Sequence, residues 1–234
     1  MKKNEDRYAL LTEEFYRSRA LKVEDKDLHE QTAKKVGWHS YSVQHLGFEN
    51  STAFSEIEWS GINSILDIGC GCGNLVEYLR EERGFIGKYT GIDIVPEFIR
   101  DAKSLYGKDP RNNFILDDFL TIKWEKKYDI ALAIGVLSVN YDSPEKQGKK
   151  SMNYAFQAIK LLAELSNFGI SLTFINQESC ADLLISSNPD MSFYKSSEIR
   201  RIIESIYDGK HKSLIIENYP NKVSIRGVAR VILR

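Results

Sequence analysis

The chain is poor in cysteine, with three in 234 residues, two of them at Cys70 and Cys72. Three thiols cannot build a disulfide framework, and a Cys-x-Cys spacing is too tight for the usual zinc pair. No metal site is expected. Excess charge of one sign is also missing, since 32 Lys and Arg face 33 Asp and Glu. No global field therefore gathers DNA or an anionic membrane, and the scattered C-terminal lysines and arginines read as a solvated face. Nor does any apolar run approach the length that spans a bilayer, and Met1 to Arg7 leads into an amphipathic stretch rather than a leader core. A cytoplasmic protein is the expectation, without membrane or DNA partners.

What is present is glycine in one place. The run Ile65-Leu66-Asp67-Ile68-Gly69-Cys70-Gly71-Cys72-Gly73-Asn74-Leu75 joins an apolar strand to a helix through a turn with glycine at alternate positions. Glycine admits backbone angles closed to other residues and removes the Cβ atoms that would keep a ligand off the chain. Leu75, Val76 and Leu79 continue with helical spacing, so the turn is expected to present the free amides of a helix N-terminus to a carboxylate or phosphate. The dinucleotide fingerprint needs glycine at the first, third and sixth positions. Counting from Gly69, the sixth is Asn74, which removes that reading.

Along the chain, Tyr8, Leu11, Phe15, Ala20 and Leu21 predict an N-terminal helix, followed by a charged patch from Lys22 to Glu30 and a short helix near Val43 to Leu46. Buried strands are expected at 65–68, 89–94, 113–118, 128–134 and 169–175, with helices from 75, over 97–106 opened by Pro96, and over 150–165 after a linker containing Pro144 and Gly148. Residues 176–194 look irregular. A helix over 197–207 and strands at 213–217 and 228–233 follow, the strands being separated by the turn signal Tyr219-Pro220-Asn221-Lys222 and hence an antiparallel pair.

The pattern Asp67-x-Gly69-x-Gly71-x-Gly73, with five alternations of strand and helix closed by a hairpin, resembles the class I S-adenosylmethionine-dependent methyltransferases. The resemblance implies an α/β fold, a seven-stranded Rossmann-like sheet, mostly parallel with an antiparallel last strand. An N-terminal helical lid over residues 1–60 would precede a methyltransferase domain over 61–234. S-adenosylmethionine would be the cofactor, held at Asp67, Gly69, Cys70 and Gly71. Asp93, ending the second strand, would accept from the ribose hydroxyls, and Ile94 would pack on the adenine. Asp117 would accept from the adenine amino group, the amide of Asp118 or Phe119 would donate to a ring nitrogen, and Gly135 would leave space beside the sulfonium.

Methyl transfer is a displacement in which the cofactor carries the reactive carbon, so the protein mainly aligns the acceptor. Where a proton must leave, His39 and His45 are the candidate catalytic bases. The segment Gly37 to Phe48 looks like one found ahead of the glycine turn in a bacterial subgroup, except that Gly47 stands where arginine is usual. That departure puts an arginine clamp on the cofactor carboxylate in doubt and leaves loop amides for it. Trp38 is a candidate substrate contact, or else it anchors a lid helix together with Phe48. Asn140 and Tyr141, after the fourth strand, are the other candidate acceptor contacts. The segment lacks the Asn-Pro-Pro-Tyr motif of enzymes that methylate nucleobase amines or glutamine amides.

The expected function is methylation of oxygen or nitrogen on a small molecule, because the N-terminal sixty residues are too few and too acidic for a macromolecular recognition domain. The alternatives are an RNA-modifying methyltransferase of the same fold and a non-catalytic cofactor-binding module.

Overall fold

The computed structural model describes residues 2–20, 23, 25–141, 151–219 and 225–233. The expected linker at Pro144 and Gly148 and the turn residues Pro220 to Lys222 lie outside them. Two compact units divide the chain, Met1–Glu125 and Lys126–Arg234.

The first unit begins with three helices, α1 (Lys2–Ala20), α2 (Leu28–Lys35) and α3 (Tyr41–Ser51). α2 lies partly in the expected charged patch. Asp27 caps it, its carboxylate accepting from the Glu30 amide at 2.9 Å, and Lys34 and Lys35 occupy the last turn, where the helix dipole favours cations. α3 is longer than expected because Ser40 caps it, accepting from the Val43 amide at 3.3 Å.

Strands β1 (Ser64–Ile68), β2 (Lys88–Asp93) and β3 (Asn112–Leu116) then alternate with α4 (Asn74–Glu82) and α5 (Pro96–Tyr106). The strands are parallel in the order β3-β2-β1, with Asp67 level with Gly91 and Asp93 level with Leu116. Ile65, Leu66, Ile68, Tyr89 and Ile92 are fully buried, as strands covered on both faces require. Pro96 opens α5 at a position where its missing N–H costs nothing.

In the second unit β4 (Tyr128–Ala133) runs parallel to β5 (Ser166–Asn176), and the helix between them is α6 (Met152–Leu165). β8 (Arg226–Ile232) lies antiparallel between β5 and β7 (Ser213–Asn218). α8 (Ser196–Tyr207) buries Ile199, Ile202, Ile203 and Tyr207, one face at helical spacing. The segment expected to be irregular holds α7 (Asp182–Ser186) and a two-residue strand, β6 (Phe193–Tyr194), parallel to the end of β5. Among the described residues no helix is long and apolar enough to cross a membrane.

Candidate functional site

The turn from β1 to α4 has left-handed backbone at Gly69, Gly71 and Gly73, with φ of +68°, +55° and +83°. A side chain is strained in that region, which accounts for the alternating glycines. The turn's amides are less free than the sequence suggests. Those of Gly69 and Cys70 donate to the Ile92 carbonyl at 2.8 and 3.0 Å, that of Gly73 to the Cys70 carbonyl at 3.0 Å, and that of Gly71 to Asp93 Oδ2 at 2.8 Å. They hold the turn against the end of β2. What the turn can offer a ligand is the Cys72 amide and the first turn of α4.

Asp93 is the hub of this arrangement. Its Oδ1 accepts from the Val95 amide at 3.0 Å, so each oxygen takes one backbone donor. A carboxylate has about four acceptor positions, which leaves capacity for further hydroxyl donors. Burial raises its pKa, while the amides of Val95 and Gly71 oppose the rise. Asp67 is buried as well, and its Oδ2 accepts a 2.5 Å hydrogen bond from the Tyr89 hydroxyl. Burial pushes its carboxyl up to about 7 against the pull of Tyr89, with the Asp93 charge adding to the rise.

Cys70 and Cys72 are buried, and loss of solvent pushes both thiols up. They serve packing: a Cβ on Gly91 would lie 2.8 Å from the Cys70 sulfur. Ile94 is half-buried and packs with Tyr16 and Val36 against Cys72, Val95 and Phe98. Beyond β3, the Asp117 amide donates to the Asp93 carbonyl at 3.2 Å, and its exposed side chain accepts from the Asp118 amide at 2.8 Å. Asp118 Oδ1 accepts from the Leu120 amide at 2.9 Å, and the Phe119 carbonyl from Trp124 Nε1 at 3.0 Å.

The helices before β1 are fastened to this turn. Asn74 Nδ2 donates to Thr32 Oγ1 of α2 at 2.9 Å and to Gln44 Oε1 of α3 at 3.0 Å, all three residues being buried. Arg17 pairs with Glu97 and Lys35 with Asp101, each at 2.9 Å. Val36 sits on the turn itself, where a Cβ on Gly71 would come within 2.7 Å of its Cγ1. Trp38 is buried against Gly47, whose Cβ would lie 2.6 Å from the indole Cη2. Any side chain at position 47 would therefore meet the Trp38 ring. His39 is exposed, whereas the His45 ring lies among Tyr41, Tyr78 and Phe48, with centroids 4.2, 5.2 and 6.0 Å away. Burial depresses the His45 pKa and favours its neutral form.

In the second unit, Gly135 follows β4 at φ +87°, its amide donating to Thr173 Oγ1 of β5 at 2.8 Å. Asn140 and Tyr141 are engaged by protein. Asn140 donates from Nδ2 to the Pro189 carbonyl at 3.0 Å and from its amide to the Asp190 carbonyl at 2.8 Å. The Tyr141 amide donates to Ser151 Oγ at 2.7 Å, and its buried ring stands 4.3 Å from that of Tyr154. Sequence reasoning passed over Tyr89, Val36, Thr32, Gln44 and Asn74 as members of the constellation. Only Gly91, a glycine inside a strand, signalled the close packing around Tyr89.

This turn, strand-end acid and winding define a Rossmann-like methyltransferase fold. Residues 63–171, a little under half of the chain, match the family model described as "Methyltransferase domain". A Mycobacterium tuberculosis protein, Rv1506c, whose name assigns it to the methyltransferases, is 36% identical over 80 residues, which is 34% of this chain and 45% of that protein. The chain thus matches less than half the length of that curated relative. The magnesium protoporphyrin IX methyltransferase of Synechocystis PCC 6803, solved with bound S-adenosylhomocysteine, superposes with a TM-score of 0.66 at 16% identity, over 97% of this chain and all of that one. The N-methyltransferase NodS of Bradyrhizobium japonicum WM9, also solved with S-adenosylhomocysteine, gives 0.59 at 14% identity over 95% and 98% of the two chains. At these identities the likeness establishes the fold.

Proposed function

We propose that the chain is an S-adenosylmethionine-dependent methyltransferase acting on an oxygen or nitrogen of a small molecule. The observation that carries the reading is Asp93, a buried acid at the carboxyl end of β2 that clasps the glycine turn and keeps acceptor capacity on both oxygens. The cofactor's ribose diol suits that donor-poor end. When bound, the cofactor supplies a methyl carbon on a sulfonium, ready for in-line displacement.

The chain's own groups would then bind and orient. Asp93 would hold the ribose hydroxyls and Ile94 would pack on the adenine, whose amino group the exposed Asp117 would accept, with Asp118 and Phe119 alongside. Gly69, Cys70, Gly71 and Asp67 would line the turn, and Gly135 would keep the space beside the sulfur open. Helices α1 to α3, residues 1–60, would act as the lid over the domain at 61–234, supported by Val36 on Gly71 and by Thr32 and Gln44 on Asn74. His39, exposed and three residues beyond Val36, would take the proton where the acceptor must lose one. His45, held among aromatic rings, is the second candidate. Trp38, Asn140 and Tyr141 would shape the acceptor side through the segments they hold in place.

A small acceptor is supported by the near-zero net charge and by the named substrates of solved neighbours, a porphyrin among them. We place the protein in the cytoplasm on the same composition. The test is transfer of labelled methyl from S-adenosylmethionine to a metabolite panel, with bulk RNA and protein in parallel. Labelled metabolites are expected. Label confined to RNA or protein would overturn the small-molecule reading, and cofactor binding without label anywhere would mark a binding module.

A further inference from the structure

The two acids beside the glycine turn are provided for unequally. Asp93 takes two backbone amides, whereas the hydrogen bond found for the Asp67 side chain among the described residues comes from Tyr89. That phenol is fully buried in β2, and a Cβ on Gly91 would meet its ring at 3.1 Å and the Cys70 sulfur at 2.8 Å. The pair is therefore fixed from below by packing. A buried carboxyl with one donor and a second acid nearby is drawn toward its neutral form, and a neutral carboxyl is a poorer partner for a cation.

Resting on the cofactor reading above, we propose that Tyr89 is a positioning residue whose hydroxyl keeps the Asp67 carboxylate ionised and oriented for the ammonium group of the cofactor's methionine end. Cofactor affinity then depends on the charge of Asp67, and Tyr89 sets the pH at which that charge appears. The titratable groups facing the pair are Asp93 from the end of β2, Cys70 from the turn and Tyr106 from α5. Cys70 and Tyr106 are both pushed up by burial and stay neutral around neutral pH, so Asp93 is the one charge that opposes ionisation of Asp67.

The experiment is calorimetric binding of S-adenosylhomocysteine to the full chain across roughly pH 5 to 9, a range that brackets a raised carboxyl. Wild type, Tyr89→Phe and Asp67→Asn are compared, with thermal unfolding to confirm that each folds. The carboxyl carbon of Asp67 is also titrated by NMR without ligand. Wild-type affinity is expected to rise with pH through a midpoint near 7. In Tyr89→Phe both the binding midpoint and the NMR midpoint move up, and affinity at neutral pH falls about tenfold, the worth of one hydrogen bond to a charged group. Asp67→Asn binds weakly with a flat pH profile. If Tyr89→Phe keeps both midpoints while wild type binds, the phenol only fills the core and the proposal fails with the cofactor reading intact. If Asp67→Asn binds as tightly as wild type, Asp67 is no ligand and the proposal fails likewise. Absence of binding by wild type at every pH overturns the cofactor reading itself.

Discussion

The glycine turn of the first unit and the segments after β4 and β5 of the second use polar residues in opposite ways. Around the turn, Asp93 is buried and bonded yet keeps spare acceptor positions, so under the proposed function folding and ligand binding draw on the same group. After β4, Asn140 spends its amide group on Pro189 and Tyr141 its backbone on Ser151, so the polar groups hold one loop to another. Under the proposed function, the donor side of the reaction is therefore written in residues that advertise themselves. The residues proposed for the acceptor side have a visible task that is structural.

If that contrast is right, damage at the turn should cost far more than damage after β4. The largest effect concerns Asp67. Its carboxyl stands at about 7 in the folded chain against an ordinary 3.8, so the folded state binds the extra proton and this group's contribution to stability is fully present below about pH 4. It is lost as pH rises toward 7, by up to about 4 kcal/mol. Asp67→Asn should flatten that part of the stability curve in chemical denaturation at stepped pH; an unchanged slope would contradict the buried, raised carboxyl. Next comes Gly71→Val, which puts a β-branched residue at φ +55° against Val36. About 1–3 kcal/mol of stability should go with the strain, and cofactor affinity should fall at least a hundredfold, roughly 3 kcal/mol.

Asn140→Ala should be milder. Losing the bonds to Pro189 and Ser151 costs on the order of 1–2 kcal/mol in thermal unfolding, with S-adenosylhomocysteine affinity within about twofold of wild type. A large loss of cofactor affinity there would erase the distinction between the regions. The smallest effect is expected from His39→Gln, an exposed substitution within about 0.5 kcal/mol of wild-type stability. Its cofactor affinity should be unchanged, while its methyl-transfer rate should fall if His39 takes the proton.

Legibility followed locality. The turn, the strands around it and Asp93 were readable because apolar runs, glycines and strand-end acids lie next to each other in the chain. α2 was hidden by its own surface charges, although Asp27 three residues before Glu30 is a helix-start signal that its cap bears out. β6 has two residues, too few to show a period. Residues that matter through distant partners left no local trace: Asn74 answers to Thr32 and Gln44, Tyr89 to Asp67, and Asn140 to Pro189. Asn74 was informative only as the glycine that is missing. Gly47 was visible as a departure, but its contact with the Trp38 ring is visible only in three dimensions.

The central claim is that the glycine turn and Asp93 together bind the methyl donor. Isothermal titration of S-adenosylhomocysteine into wild type and Asp93→Ala tests it most directly. Binding by wild type, weakened at least about thirtyfold in the variant (roughly 2 kcal/mol) while the variant still unfolds cooperatively, is the predicted result. Equal affinity in the two proteins would contradict it.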